Sequence, residues 1–267
     1  MSENKLVNST QLDADLIDIA NAIRTKGGTS EQLAFPVGFV SAIEALPKGK
    51  YTDTQWLVKT VDGPVYYTGT SIPTLDGFQK VTEFSAPNWV NGFGANFLFR
   101  NCYLLEKVSL PKVTRFTGTD KFKNCRKLQM LVLPSLGKGA SASNSMQAIL
   151  DGFNSCSILQ VIDVYAPYSF PSKSFLNCTV LDTLIIRNRS NASSAKPIAS
   201  LAAIDAFSGT PFASDGAGGT LYVPSADISA YQEATNWSAI LGYENNQILP
   251  IEGSIYETQW ADGTPIT

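Results

Sequence analysis

Apolar positions in the middle of this chain recur as a fixed phrase rather than at a plain helical or strand period. The phrase reads FRNCYLLEKVSLP from Phe99, FKNCRKLQMLVLP from Phe122, FNSCSILQVIDV from Phe153 and FLNCTVLDTLIIR from Phe175. In each copy Phe is followed three residues later by Cys and three later by Leu. Val, Leu or Ile comes three residues after that, and another aliphatic residue two further on. Successive Phe stand 23, 31 and 22 residues apart, so each copy has the length of one supersecondary unit.

The end of the phrase alternates apolar and polar residues, as in Val108-Ser109-Leu110, and closes at Pro111 or Pro134. That pattern predicts a short strand with one buried face, stopped where proline cannot continue a ladder. A single unit cannot bury its apolar face, whereas stacked units set Phe on Phe, Cys on Cys and Leu on Leu. The fold class expected is an α/β repeat solenoid, a stack of short parallel strands. Its structural core is Phe99, Cys102, Leu105, Phe122, Cys125, Leu128, Phe153, Cys156, Leu159, Phe175, Cys178 and Leu181. Two degenerate copies flank it. Upstream, FQKVTEFSAP places Phe78 in the Cys slot; downstream, Phe207 opens FSGTPF with Thr210 in that slot.

Outside the repeats the pattern changes. Leu12, Leu16, Ile19 and Ile23 share one helical stripe, and Phe39, Ile43 and Leu46 another, so residues 9–47 read as a helical hairpin. WLVKTV and VYYTG around Asp62-Gly63 read as a β-hairpin that caps the array. Three insertions interrupt the stack: Gly137–Met146, Arg187–Lys196 (followed by the helix-like IASLAAIDAF) and Ala213–Gly219. Insertions in repeat proteins tend to emerge on one face, often the binding face. After LYVP, Ser225 or Asp227 is placed to cap a helix carrying Ile228, Tyr231 and Trp237, and ILPI reads as a closing strand. The tail, with an exposed-looking Tyr256 and Trp260, suits docking onto a neighbour. The expected organisation is a hairpin over 1–50 for anchoring or oligomerisation and a β-hairpin cap over 51–77. The solenoid spans 78–224, and a C-terminal cap with its docking tail spans 225–267.

Composition narrows the chemistry. A hydrophobic content of 44% with 16% charged residues describes a folded chain. A net charge of −3 without a Lys/Arg run argues against nucleic acid, and no apolar stretch approaches the length of a membrane span. The start lacks a secretory leader pattern, so the chain is expected to be made in a cytoplasm and to leave it, if at all, by another route. All four Cys occupy one slot of the repeat and there is no His. Buried reduced thiols are the expected state, with a disulfide or metal as the competing reading. The absence of His removes Ser–His–Asp and Cys–His nucleophilic systems. Glu106 and Asp182 sit in equivalent solvent-side slots, where a charge is ordinarily just solvated. No catalytic residue, cofactor or metal is expected.

The FxNCxxLxxVxLP phrase resembles the BspA-type leucine-rich repeat of bacterial and phage surface proteins, and GGTLYVPSADISAYQEATNWSAI resembles the usual last unit of such arrays. LIDIANAIRTKGGTSEQLAFPVGFVSAIEAL resembles an N-terminal helical segment of tail-fibre and minor structural proteins of Gram-positive phages and prophages. The resemblance implies a non-enzymatic virion protein exposed on the particle (tail fibre, baseplate or head appendage), with helices that anchor and a solenoid that faces the host. The partners it implies are other virion proteins, copies of itself in a homo-oligomer such as a trimer, and a host cell-wall carbohydrate or surface protein. A purely structural decoration or neck protein, or a bacterial adhesin, are the alternatives.

Overall fold

A computed structural model describes residues 55–68, 79–89, 98–116, 118–139, 150–189 and 198–266. The chain divides into two units, 1–50 and 51–267; the helical hairpin expected over 9–47 lies outside the described residues. The second unit is a mixed α/β structure with few helices. Its strands in chain order are β1 (Gln55–Thr60), β2 (Gly63–Thr68), β3 (Val81–Ser85), β4 (Lys107–Ser109), β5 (Met130–Leu133) and β6 (Val161–Val164). β7 (Ser169–Phe170), β8 (Thr183–Ile186), β9 (Ser200–Leu201), β10 (Thr220–Val223) and β11 (Gln247–Pro250) follow. β5, β6, β8, β10 and β11 form a five-stranded sheet in that order, and every pairing in it is parallel.

β4, β5, β6 and β8 are each entered through the same pair of turns. The N–H of Cys102, Cys125, Cys156 or Cys178 donates to the carbonyl of the Phe three residues before it, at 2.9–3.1 Å. The N–H of the following Leu then donates to the Cys carbonyl at 3.0–3.3 Å. The first turn needs a left-handed residue two after Phe. Asn101, Asn124, Ser155 and Asn177 fill that place with φ between 60° and 64°. Short polar side chains tolerate this conformation better than others, and the fifth unit uses Gly209 at φ 69°. Copies are then stitched together, because the N–H groups of Phe99, Phe122, Phe153 and Phe175 donate to Lys121, Gly152, Ser174 and Ala206 of the next unit at 2.7–2.8 Å. The rings follow the backbone: Phe99, Phe122, Phe153, Phe175 and Phe207 stack at 5.1–5.4 Å spacing between centroids, all fully buried. Each contributes roughly 1.5–3 kcal/mol of burial.

The degenerate copies join the same core. β3 pairs parallel with β4 and sets Phe84 opposite Val108, and the Phe84 ring meets Phe99 at 5.0 Å. The hairpin β1–β2 turns at Val61-Asp62, and β1 pairs antiparallel with β3, so the two sheet edges merge into one four-stranded sheet. Trp56, read as a cap residue, is buried in the common core with its ring edge-on to Trp89.

Two local expectations fail. IASLAAIDAF is not a helix: Ser200 and Leu201 form β9, which pairs parallel with β7, and only Ile204–Phe207 makes one 3-10 turn. Pairing with the preceding unit outweighs the weak helical bias of those alanines. The helix expected after Pro224 is two short ones, α1 (Ile228–Glu233) and α2 (Trp237–Leu241), broken at Asn236 with φ 66°. Neither Ser225 nor Asp227 caps α1; the Asp227 carboxylate instead accepts from Arg189 Nε at 2.6 Å. Tyr231 and Trp237 are buried edge to face, and the indole N–H donates to the Ala199 carbonyl at 2.7 Å.

Candidate functional site

The twelve ladder residues are all fully buried, which places them in the scaffold and away from any ligand. Their sulfurs have a structural task. Cys125, Cys156 and Cys178 each donate an S–H to the Phe carbonyl of the preceding unit (Phe99, Phe122 and Phe153) at 2.9–3.1 Å. That carbonyl already accepts its own unit's Cys N–H, so both its lone pairs are satisfied. All four cysteines are free. Burial pushes the Cys156 thiol well up, and the neighbouring Cys156 thiol, together with burial, does the same to Cys178. In the fifth unit Thr210 turns its hydroxyl onto its own Phe207 carbonyl at 2.8 Å. Among the described residues no three potential ligands converge on a metal position, and no helix is long and apolar enough to cross a membrane.

The opposite face of the parallel sheet carries the unrepeated chemistry. In register across it run Val132, Asp163, Ile185, Tyr222 and Leu249. Asp163 and Ile185 belong to the solvent-side alternation yet are fully buried, and the C-terminal tail lies against Asp163. Arg187, one residue beyond β8, grips the Asp163 carboxylate with Nε at 2.7 Å and Nη2 at 2.6 Å. It also donates Nη1 to Tyr256 O at 2.6 Å and Nη2 to Gln259 O at 2.9 Å. Ala261 N–H donates to Asp163 Oδ2 at 2.8 Å, and the Trp260 ring lies 4.2 Å from the guanidinium. Burial pushes the Asp163 carboxyl up, while the Arg187 fork and the Ala261 N–H pull against it. The tail expected to reach a neighbour is thus folded back on its own sheet. Trp260 is 8% exposed and Tyr256 packs against Tyr222.

Beside the tail opens a cavity of about 810 Å³. Its walls include Lys138, Tyr165, Arg187, Trp260, Glu252 and Glu257, framed by Pro111, Pro134, Pro224 and Pro265. Two insertion stems meet here: Lys138 opens the first and Arg187 the second. The first stem is fixed, since Gly137 N–H donates to Thr114 O and a Cβ on Gly137 would stand 2.0 Å from Ala166 O. The third insertion does not line this cavity; Ser214, Asp215 and Ala217 are exposed, and Gly219 at its end packs against the buried Phe212 ring. The Lys138 ammonium lies 4.8 Å from the Tyr165 ring centre, and the Tyr165 hydroxyl accepts from Asn188 at 2.9 Å. Glu252 accepts from Ser225 N–H, and its own backbone N–H together with that bond holds its carboxyl below the ordinary value. Glu257 accepts from Gly253 N–H at 2.9 Å.

Of the carboxylates singled out in the sequence, Glu106 is exposed and lines a smaller groove of about 420 Å³ with Met130 and Val132. Asp182 accepts from Gln160 and Thr183. They do not share a site. Asp163 and Arg187 went unmarked, although an acid and a base in adjacent copies, 24 residues apart, were the available signal. Comparison with protein-family models, curated proteins and solved structures returned no match for this chain.

Proposed function

We propose that the chain is a BspA-type leucine-rich-repeat solenoid and a non-enzymatic component of a bacteriophage particle, exposed at a tail fibre, baseplate or head appendage. In this reading the N-terminal segment anchors or oligomerises, and the repeat unit meets the host surface. One observation carries the scaffold part: each repeated side chain is spent on the adjoining copy, as in the S–H of Cys156 on the Phe122 carbonyl. Residues used in this way build a rod-like support and leave recognition to side chains outside the phrase. The phage assignment is supported by the likeness of the repeat phrase and of the opening segment to virion proteins.

The test is a phage carrying this protein without residues 1–47. Particles are expected to assemble without it, whereas retained incorporation rejects the anchoring role. Binding of the purified full chain to host cell walls is expected as well. A protein that joins particles but ignores the wall is a decoration or neck element instead.

A further inference from the structure

The cavity beside the tail has the composition of a ligand site rather than of a packing defect. Its volume, about 810 Å³, lies within the range of small-molecule sites. Four prolines frame it, so its shape is set before a ligand arrives and little ordering entropy is lost on binding. Its charged groups are of both signs: the Arg187 charge is spent on Asp163, and Lys138 stands against Glu252 and Glu257. An anion meets the two exposed carboxylates, a cation meets Lys138, and an apolar ligand would strip water from all three. A neutral, hydroxyl-rich ligand meets neither obstacle. Its hydroxyls find donors and acceptors in the ammonium and carboxylates, and its C–H faces find Tyr165, with Trp260 in the wall behind. Arg187 is 93% buried by its side-chain exposure of 7%, and four of its five N–H groups are engaged. That leaves one Nη1 hydrogen at the cavity wall.

We propose that this cavity is a binding site for a neutral saccharide. The assignment rests on the host-facing role given above and supplies its ligand class. Pro111, Pro134, Tyr165 and Arg187 stand in one place of successive copies, while Lys138 comes from an insertion stem and Glu252, Glu257 and Trp260 from the C-terminal segment.

Isothermal titration of the full chain with maltohexaose, cellohexaose and an N-acetylglucosamine hexamer, and with a glycerol-phosphate oligomer as the anionic probe, decides it. At least one neutral probe is expected to saturate, and Lys138→Ala and Tyr165→Ala each to weaken it tenfold or more. Lys138 is exposed, so its variant keeps the fold even where the tyrosine variant is destabilised. Absence of saturation by every neutral probe, a preference for the anionic one, or unchanged affinity in the Lys138 variant overturns the proposal. The two readings fail separately. Particles carrying Lys138→Ala that still adsorb normally discard the cavity alone, whereas particles lacking the whole protein that adsorb normally discard the host-facing role.

Discussion

Arg187→Met removes the guanidinium that joins the tail to the sheet and keeps a chain of similar length in its place. The Asp163 carboxyl, fully buried, is then left with the Ala261 N–H as its compensation, and the Tyr256 and Gln259 carbonyls lose their donor. Breaking a buried pair from one side costs about 3–5 kcal/mol. The loss must depend on pH. Burial already holds the Asp163 carboxyl above its ordinary value, and without Arg187 it rises further. An acid whose folded value is raised contributes its stability at low pH and loses it as pH rises from the ordinary value through the folded one. The variant should therefore be closest to wild type near pH 4 and furthest from it at pH 7. Asp163→Asn in the same chain should restore most of the loss at pH 7 and flatten the profile. Urea unfolding by far-ultraviolet circular dichroism reads the energies. Chymotryptic cleavage at Tyr256 and Trp260 reads whether the tail has left the sheet. A loss below about 1 kcal/mol at pH 7, or one that is the same at pH 4, refutes the buried fork, since buried pairs broken from one side cost more.

Other perturbations probe the rest of the unit. Gly137→Ala puts a Cβ 2.0 Å from Ala166 O at φ +79°, and should cost about 1–3 kcal/mol, seen as a lower thermal midpoint. The four thiols should resist a colourimetric thiol reagent in the native protein and react together on denaturation; rapid labelling of the folded chain contradicts the S–H contacts to the Phe carbonyls. Burial lowers Lys121 to about 8, with Asp151 pulling it back up. Between about 8 and the ordinary 10.5 the unfolded chain binds the extra proton, so this group's contribution rises with pH across that window and is lost as pH falls through about 8. Lys121→Met should remove that rise, measured as the difference in urea midpoint between the two proteins from pH 7.5 to 10.5.

The ladder could be read from the chain because each slot is written four times, and repetition separates a structural requirement from chance. Strand positions and register followed from the same alignment, as Phe84 opposite Val108 shows. The left-handed turn residue was also in plain view, as Asn101, Asn124, Ser155, Asn177 and Gly209 share one slot. Physical preference for that conformation was the clue, and it lay in the FxNC phrase itself. The tail was illegible for the opposite reason. Its contact with Asp163 spans 98 residues and occurs once, so no internal comparison could expose it. An aspartate on the solvent-side alternation of a strand reads as hydrated until something covers it, and Trp260 reads as exposed until its partner is known.

That asymmetry bears on where recognition sits. A repeated slot must satisfy its neighbours on both sides, so a substitution there disturbs two interfaces and the residue type is held fixed. Ser109, Val132, Asp163, Ile185 and Tyr222 occupy one outward slot and share neither charge nor size, because no stacking partner constrains them. At Asp163 this freedom becomes a constraint again through Arg187 and the tail, and at Tyr222 through the Tyr256 ring. The tail contributes Trp260, Glu257 and Pro265 to the cavity wall, and the fork fixes its position there. Arg187→Met should therefore weaken a saccharide at that site even under conditions where the sheet stays folded. A variant that releases the tail to chymotrypsin yet binds the neutral probe with wild-type affinity would show that the tail wall is dispensable to the site.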